Sequence, residues 1–258
     1  MRVFAIFSTG LCLFLLSCLQ EGSDKRPRLI KNKVFVIPFP EEEVHNSAHA
    51  QMPDTSYLNF LFRSKGLVNI HELDSSIKVD LRYADTSNFL HMGFYDGLKT
   101  AYLTCEAAIK LSNAQYYLKS LHPNYSLLVF DAARPLHIQQ LMWDSLKMPA
   151  PKKYQYLSIP SEPSLHNYAC AVDVSIIDLK TSTLLDMGSE YDHFGKLSEP
   201  MMEKELLKTG ELSNAAYKNR LLLRKVMIAA KYKPITTEWW HFSICTKPEA
   251  QKRFELIY

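Results

Sequence analysis

Two short segments in the C-terminal half of the sequence carry side chains that bind metal ions. His166 is followed seven residues later by Asp173, and Glu238 precedes His241 by three residues. If His166, Asp173 and His241 bind one zinc ion, a tetrahedral position is left for water, as in catalytic zinc sites. Zinc lowers the pKa of its bound water to about 7, and a nearby, unbound Glu238 can transfer protons. The two segments therefore predict a metallohydrolase.

The surroundings of these residues bear on that interpretation. Asp173 lies between Val172 and Val174, where burial of a carboxylate is costly unless it is paired or binds a metal. His166 taken alone is more typical of a surface histidine. Residues three apart point to opposite sides of a strand, so we predict that Glu238 or its partner histidine lies in a loop or bulge. The alternative is an edge strand that carries an ordinary glutamate and histidine.

An arginine in the segment Asp131-Ala-Ala-Arg134-Pro135 lies between a predicted strand and a predicted helix. A guanidinium in such a loop can project into a cleft and stabilise a developing oxyanion. The alternative is a structural ion pair between Arg134 and Asp131. The sequence alone leaves both interpretations open.

Apolar periodicity predicts the elements that must position these side chains. Alternation indicates a half-buried strand over 77–83, and a short apolar run indicates a buried strand over 126–130. Further strands are predicted over 171–177 and, on the return, near 183–187. The stretch 235–245 is rich in β-branched and aromatic residues and predicts a closing strand. Thr104 can cap a helix that runs to about Ser120, and further helices are predicted from Pro135 and over 213–231. Strands and helices are mixed without strict alternation, which predicts one α+β domain over 57–258.

The N-terminal segment predicts a leader that is not part of this domain. Arg2 precedes an apolar run over 3–16, which has the length of a signal-peptide core and is too short to span a bilayer. Because the run ends in Leu-Leu-Ser-Cys18, we expect a lipoprotein signal over 1–18, a tether over 19–56, and attachment to a cell-envelope membrane through a lipid on Cys18. A plain secretory signal and a retained anchor are the alternatives.

Composition excludes some classes of function. A hydrophobic content of 47% and a charged content of 22% are ordinary for a globular protein. The net charge of +3 disfavours nucleic-acid binding. Outside the leader, Cys105, Cys170 and Cys245 lack CxxC spacing. One disulfide is compatible with an oxidising envelope, but the sequence does not select the pair.

Three separated motifs together resemble a known family. They are Asp131-Ala-Ala-Arg134-Pro, Ser164-Leu-His166-Asn-Tyr-Ala-Cys-Ala-Val-Asp173 and Glu238-Trp-Trp-His241. Their order and spacing are similar to those of the zinc D-alanyl-D-alanine dipeptidases, which include the VanX-type vancomycin-resistance enzymes. The likeness covers roughly residues 68 to 246, including Arg82-Tyr83-Ala84 and Met187-Gly-Ser-Glu-Tyr-Asp192.

The resemblance implies a role for each matching residue. One zinc ion would be bound by His166, Asp173 and His241, with Glu238 as catalytic base and Arg134 stabilising the transition state. Tyr83, Ser164 and Asp192 are implied as substrate contacts. The implied fold is the compact α+β domain of the D,D-peptidases and the hedgehog signalling domain, a mostly antiparallel sheet flanked by helices.

The implied reaction is hydrolysis of D-Ala-D-Ala to two D-alanines. One alternative is a D,D- or L,D-carboxypeptidase that trims peptidoglycan stem peptides, and another is a catalytically silent zinc domain that binds wall fragments or a protein. Two features depart from the family. Ala169 replaces its usual glycine, so the turn must avoid positive φ or tolerate strain. The lipoprotein-like leader is unexpected for enzymes that act on cytoplasmic dipeptide.

Overall fold

The computed structural model describes residues 54–258 except Asp96 and Gln155, and these residues belong to one compact unit. The predicted signal segment, with Cys18, and nearly all of the predicted tether lie outside the described residues. No helix in the described part of the chain is long and apolar enough to cross a bilayer.

A mostly antiparallel sheet forms the centre of the domain. Its strands, with those of a small separate ribbon, are β1 (Val68–Asn69), β2 (Lys78–Val79), β3 (Tyr102–Leu103), β4 (Tyr125–Asp131), β5 (Ala171–Asp178), β6 (Thr183–Leu184), β7 (Lys233–Pro234) and β8 (His241–Ser243). The strand order in the sheet is β2-β4-β5-β8-β7, β6 pairs with β5, and β1 pairs with β3 in the ribbon. Only the β2–β4 pairing is parallel among the described strands. The prediction of an α+β domain is confirmed.

Helices flank this sheet, and the three helices predicted from Thr104, from Pro135 and over 213–231 are among them. The flanking helices are α1 (Asp54–Ser64), α2 (Cys105–Leu121), α3 (Leu136–Ser145), α4 (Ala150–Lys153), α5 (Glu203–Thr209), α6 (Asn214–Ala229) and α7 (Lys247–Arg253). The Thr104 hydroxyl accepts a hydrogen bond from the Ala107 amide, which caps α2 as predicted. The buried face of α2 packs against β4 and α6, so the longest helix lies directly against one of the two long strands.

Three predicted strands are shorter than the sequence indicated. The strand predicted over 77–83 ends after Val79, and a 3₁₀ turn over Arg82–Ala84 follows it. The return strand ends after Leu184, because the Asp186 carboxylate accepts the Gly188 amide hydrogen bond and forms a side-chain turn. The strand predicted over 235–245 is regular only over His241–Ser243.

A buried arginine holds the irregular segment that follows β6. Arg220 on α6 donates to the carbonyl oxygens of Met187 at 2.5 Å and Leu197 at 2.6 Å. Gly188 adopts a φ of +81°, which strains any residue with a Cβ, and a Cβ there would press on the Leu212 side chain, so this position favours glycine. The segment 186–202 is therefore anchored to α6 at both sides of residues 191 and 192, which contribute to the site described next.

Candidate metal centre

Three donor atoms of the predicted zinc ligands converge on one point. His166 Nε2 lies 3.2 Å from His241 Nδ1 and 3.4 Å from Asp173 Oδ1. The separation between His241 Nδ1 and Asp173 Oδ1 is 3.0 Å. In a tetrahedral zinc site with bonds of about 2.0–2.1 Å the ligand atoms are separated by about 3.3 Å. The three residues thus fit the donor set of one such ion, and they are the described residues that group in this way.

The sheet register brings two of these donors together. Asp173 on β5 and His241, the first residue of β8, are directly paired across the two strands. His166 comes from the 3₁₀ turn Leu165–Tyr168, which immediately precedes β5. This turn ends at Ala169 with φ 51° and ψ 31°, so the alanine that replaces the family's glycine does adopt the left-handed conformation. That conformation costs a non-glycine residue about 1–2 kcal/mol. Hydrogen bonds from the amides of residues 169 and 170 back to the turn offset this cost.

Hydrogen bonds orient the donors toward the shared point. His166 Nδ1 donates to the carbonyl oxygen of Ala132 at 2.7 Å, which leaves the lone pair of Nε2 free to bind a cation. The Tyr191 hydroxyl donates to Asp173 Oδ2 at 3.0 Å, so Oδ1 remains on the side of the histidines. Burial alone would raise the pKa of Asp173, but the neighbouring imidazoles outweigh burial and lower that pKa strongly.

Arg134 makes the predicted ion pair and also lines the cleft. The buried Asp131 carboxylate accepts from Arg134 Nε at 3.0 Å and from Nη2, and it accepts from the Tyr95 hydroxyl at 2.6 Å. The Arg134 guanidinium lies 4.9 Å from the centre of the Tyr83 ring. Arg134 itself is buried, so it is held by the core and does not extend freely from a loop.

All eight site residues predicted from the sequence line one cleft of about 290 Å³. They are Tyr83, Arg134, Ser164, His166, Asp173, Asp192, Glu238 and His241. The volume is at the lower end of the range for small-molecule sites. The structure therefore brings together residues that come from widely separated parts of the sequence.

Glu238 lies beside the donor cluster without entering it. Its Oε2 atom is 4.0 Å from His241 Nδ1, and 37% of its side chain is exposed. The residue belongs to the irregular stretch before β8, as the spacing argument predicted. Burial raises the pKa of the Glu238 carboxyl, against the opposing effect of His241.

A second acidic side chain lines the cleft next to a tyrosine. The Tyr83 hydroxyl donates to Asp192 Oδ1 at 3.2 Å and to Oδ2 at 3.1 Å. Burial, reinforced by the charge of Asp173, raises the pKa of Asp192 well above its ordinary value. Ser164 has a different environment, because its hydroxyl donates to Gln139 Oε1 or to Asn167 Oδ1 and its amide caps the same turn.

Tyr191 and Lys247 are among the residues of the site that sequence reasoning missed. Tyr191 reaches Asp173 through its hydroxyl, but a tyrosine beside an aspartate gives no spacing signal for that contact. Lys247 also lines the cleft, from the first turn of α7. Long-range contacts bring that turn to the site, namely the pairing of β8 with β5 and the packing of α7 on the turn of His166. A lysine at a helix start is otherwise ordinary.

Two imidazoles and a carboxylate around one point, with a further carboxylate beside them in a small cleft, define the class of mononuclear metallohydrolases. Residues 63–257 match the D-ala-D-ala dipeptidase family of M15 peptidases. The chain belongs to this family and is a metallopeptidase, so the resemblance seen in the motifs is confirmed.

Individual relatives share about a quarter of their residues with the chain. A D-alanyl-D-alanine dipeptidase of Escherichia coli (strain K12) is 26% identical over 178 residues, which cover 69% of this chain and 84% of the relative. One of Enterococcus faecalis (strain ATCC 700802 / V583) is 25% identical over 198 residues, which cover 71% and 93% respectively. The similarity extends over most of the length of both relatives.

The pKa of Asp192 predicts a specific pH dependence of stability. A raised pKa means that the folded state holds the proton more tightly, so this contribution to stability is complete at low pH. It is lost as pH rises from about 3.9, the ordinary value, through the pKa of the folded state. Asp192→Asn should remove that loss, and its free energy of unfolding relative to wild type should increase with pH and then level off.

Urea unfolding of chelator-treated protein over pH about 4 to 8 measures this difference. Asp144→Asn, which changes an exposed carboxylate on α3, is the matched control for the substitution itself. A flat difference for Asp192→Asn would show that its carboxyl ionises as it does in water.

Proposed function

We propose that this protein hydrolyses D-Ala-D-Ala to two D-alanines in a zinc-dependent reaction. The observation that carries the proposal is the convergence of His166, Asp173 and His241 at 3.0–3.4 Å, with Glu238 beside them. Membership of the family and the names of its relatives support the choice of substrate.

The proposed ligand atoms are His166 Nε2, Asp173 Oδ1 and His241 Nδ1. A zinc ion held there would supply Lewis acidity, which polarises a peptide carbonyl and acidifies water near neutral pH. The protein prepares these donors in advance, because Ala132 and Tyr191 hold the outer atoms of two of them.

Glu238 is the proposed general base and acid. Its carboxylate would accept the proton of the attacking water and then deliver that proton to the leaving amine. A group serves both steps best when its pKa lies near the working pH, so the raised pKa of Glu238 suits this role.

Arg134 is the proposed electrostatic partner of the carbonyl oxygen that gains charge. Its Nε and Nη2 atoms donate to Asp131, which fixes one edge of the guanidinium. A guanidinium fixed along one edge can offer its remaining donors without reorganising, which is how such groups stabilise a transition state. The ion pair is thus compatible with a catalytic role, since it orients the donor.

The two ends of the dipeptide need different partners. We assign its ammonium to Asp192, with Tyr83 positioning that carboxylate, because this acidic pair lines the cleft beside the donor cluster. Ser164 is proposed as a further contact, and only through a lone pair, because its hydroxyl hydrogen is used within the turn.

A carboxypeptidase acting on peptidoglycan-derived peptides is the second candidate, and one observation favours it. A further cavity of about 650 Å³ shares Tyr156, Asp192 and Phe194 with the metal cleft. This cavity offers space beyond the proposed position of the ammonium, where a longer peptide would extend. A silent binding domain is less consistent with the site, because binding alone requires neither Glu238 nor Arg134.

The test is the release of D-alanine from free and N-acetylated D-Ala-D-Ala, with and without zinc. We expect turnover of the free dipeptide only with zinc. Acetylation should lower kcat/KM by about 10–100-fold, because a charged hydrogen bond of about 1.5–3 kcal/mol is lost. L-Ala-L-Ala, with release of L-alanine as its readout, is the stereochemical control. Equal or faster hydrolysis of the acetylated substrate would favour the carboxypeptidase.

Glu238→Gln separates proton transfer from metal binding. The amide cannot accept the proton, so kcat should fall by about 10²–10⁴-fold, while zinc stoichiometry measured by atomic emission stays at the wild-type value. Glu205→Gln, at an exposed position on α5, is the control and should change neither quantity. A near wild-type kcat for Glu238→Gln would contradict the assignment.

We also propose that the protein is held at a cell-envelope membrane through a lipid on Cys18. The support is the sequence of the leader, in which an apolar run follows Arg2 and ends at this cysteine. Labelled palmitate should be incorporated into the wild type and into Cys12→Ala, but not into Cys18→Ala. Equal labelling of Cys18→Ala, or none of the wild type, would contradict the proposal.

A further inference from the structure

The charged side chains around the cleft differ in whether a buried group of opposite charge pairs with them. Apart from the histidines, the acidic ones are Asp173, Asp192 and Glu238, and the basic ones are Arg134 and Lys247. Two nitrogens of Arg134 are bound to Asp131, which is buried. Lys247 is therefore the cation lining this cleft whose charge is not matched by a buried carboxylate among the described residues.

Lys247 is held in place by a main-chain group. Its Nζ atom donates to the carbonyl oxygen of Glu162 at 3.1 Å, whereas the Glu162 carboxylate is 3.9 Å away. Glu162 has 74% of its side chain exposed, so solvent weakens that attraction. An ammonium group has three donors, and a carbonyl bond uses only one. Lys247 is thus oriented at the cleft with donors available for an anion.

The position of Lys247 differs from that of the acidic pair. Asp192 also borders the second cavity, together with Tyr156 and Phe194, and Lys247 does not line that cavity. Lys247 instead contacts residue 162, at the start of the segment that leads to Ser164 and the turn of His166. The cleft therefore has an acidic group on the side of the second cavity and a basic group beside the segment 162–164.

We propose that Lys247 binds the C-terminal carboxylate of the substrate and makes the enzyme select peptides with a free carboxylate at that end. This inference rests on the proposed function and extends it to a residue outside the family motifs. It assigns the two opposite charges of a zwitterionic dipeptide to two different parts of the cleft lining. The same residue would serve a carboxypeptidase, because both candidate substrates end in a free carboxylate.

The experiment compares D-Ala-D-Ala with D-alanyl-D-alaninamide, which lacks the terminal charge. Lys247→Met should raise KM for D-Ala-D-Ala by about 10-fold, the lower end for a charged hydrogen bond at a half-exposed group, with kcat little changed. KM for the amide should not change, and Lys247→Arg should restore part of the loss. Lys233→Met is the control, because Lys233 is 57% exposed and does not line the cleft.

A binding measurement separates this inference from the proposed function. Both compounds are titrated by calorimetry into zinc-loaded Glu238→Gln protein, with and without the second substitution Lys247→Met. Lys247→Met should weaken the binding of D-Ala-D-Ala by about 10-fold and leave the binding of D-alanyl-D-alaninamide unchanged. If wild type binds D-Ala-D-Ala through Lys247 but hydrolyses neither compound, the proposed function fails and the inference stands. If Lys247→Met keeps the wild-type preference for the acid in binding and in KM, another group holds the carboxylate and the inference is wrong.

Discussion

Two buried carboxylates lie opposite each other on neighbouring strands, and the arrangement of the site depends on how each is compensated. Asp131 on β4 and Asp173 on β5 are paired across the sheet and both are buried. A carboxylate in such a place is costly unless cations or hydrogen-bond donors surround it. The Asp131 carboxylate accepts hydrogen bonds from Arg134 and from a tyrosine hydroxyl. The Asp173 carboxylate accepts a hydrogen bond from Tyr191 and lies next to two imidazoles. Each compensating side chain is thereby oriented.

Hydrogen bonds to main-chain groups join the proposed metal ligands and the arginine into one unit. The Arg134 amide donates to the His166 carbonyl oxygen at 3.0 Å, and Asn167 Nδ2 donates to the Arg134 carbonyl oxygen at 2.8 Å. The loop after β4 and the turn before β5 are therefore fixed to each other by bonds to main-chain groups. A group that must stabilise charge at a metal centre benefits from this arrangement, because little reorganisation is needed during the reaction.

The sequence predicted elements correctly where the signal lies within one segment. It failed where long-range strand pairing sets the limits of an element. The helix from Thr104 was predicted because its cap and its apolar face lie within one segment. The residues taken from the motifs do line one cleft, but Tyr83, Ser164 and Asp192 were implied only by the resemblance to the family, and the roles of all these residues stay predictions. The stretch 235–240 was assigned to a strand because its residues favour strands, yet regular pairing begins only at His241. The contact of Lys247 depends on that long-range pairing, which no local pattern reports.

The environment of Asp192 bears on its proposed role in recognising the amino end of the substrate. Burial and Asp173 disfavour the ionised carboxyl, whereas a substrate ammonium would favour it. A substrate that brings this charge offsets the cost of ionisation, but an acylated amine offers no compensating charge. Discrimination by such a group comes mainly from the penalty for a poorly matched ligand. The second cavity provides space for a longer peptide, but space alone supplies no positive charge to compensate the ionised Asp192 carboxyl.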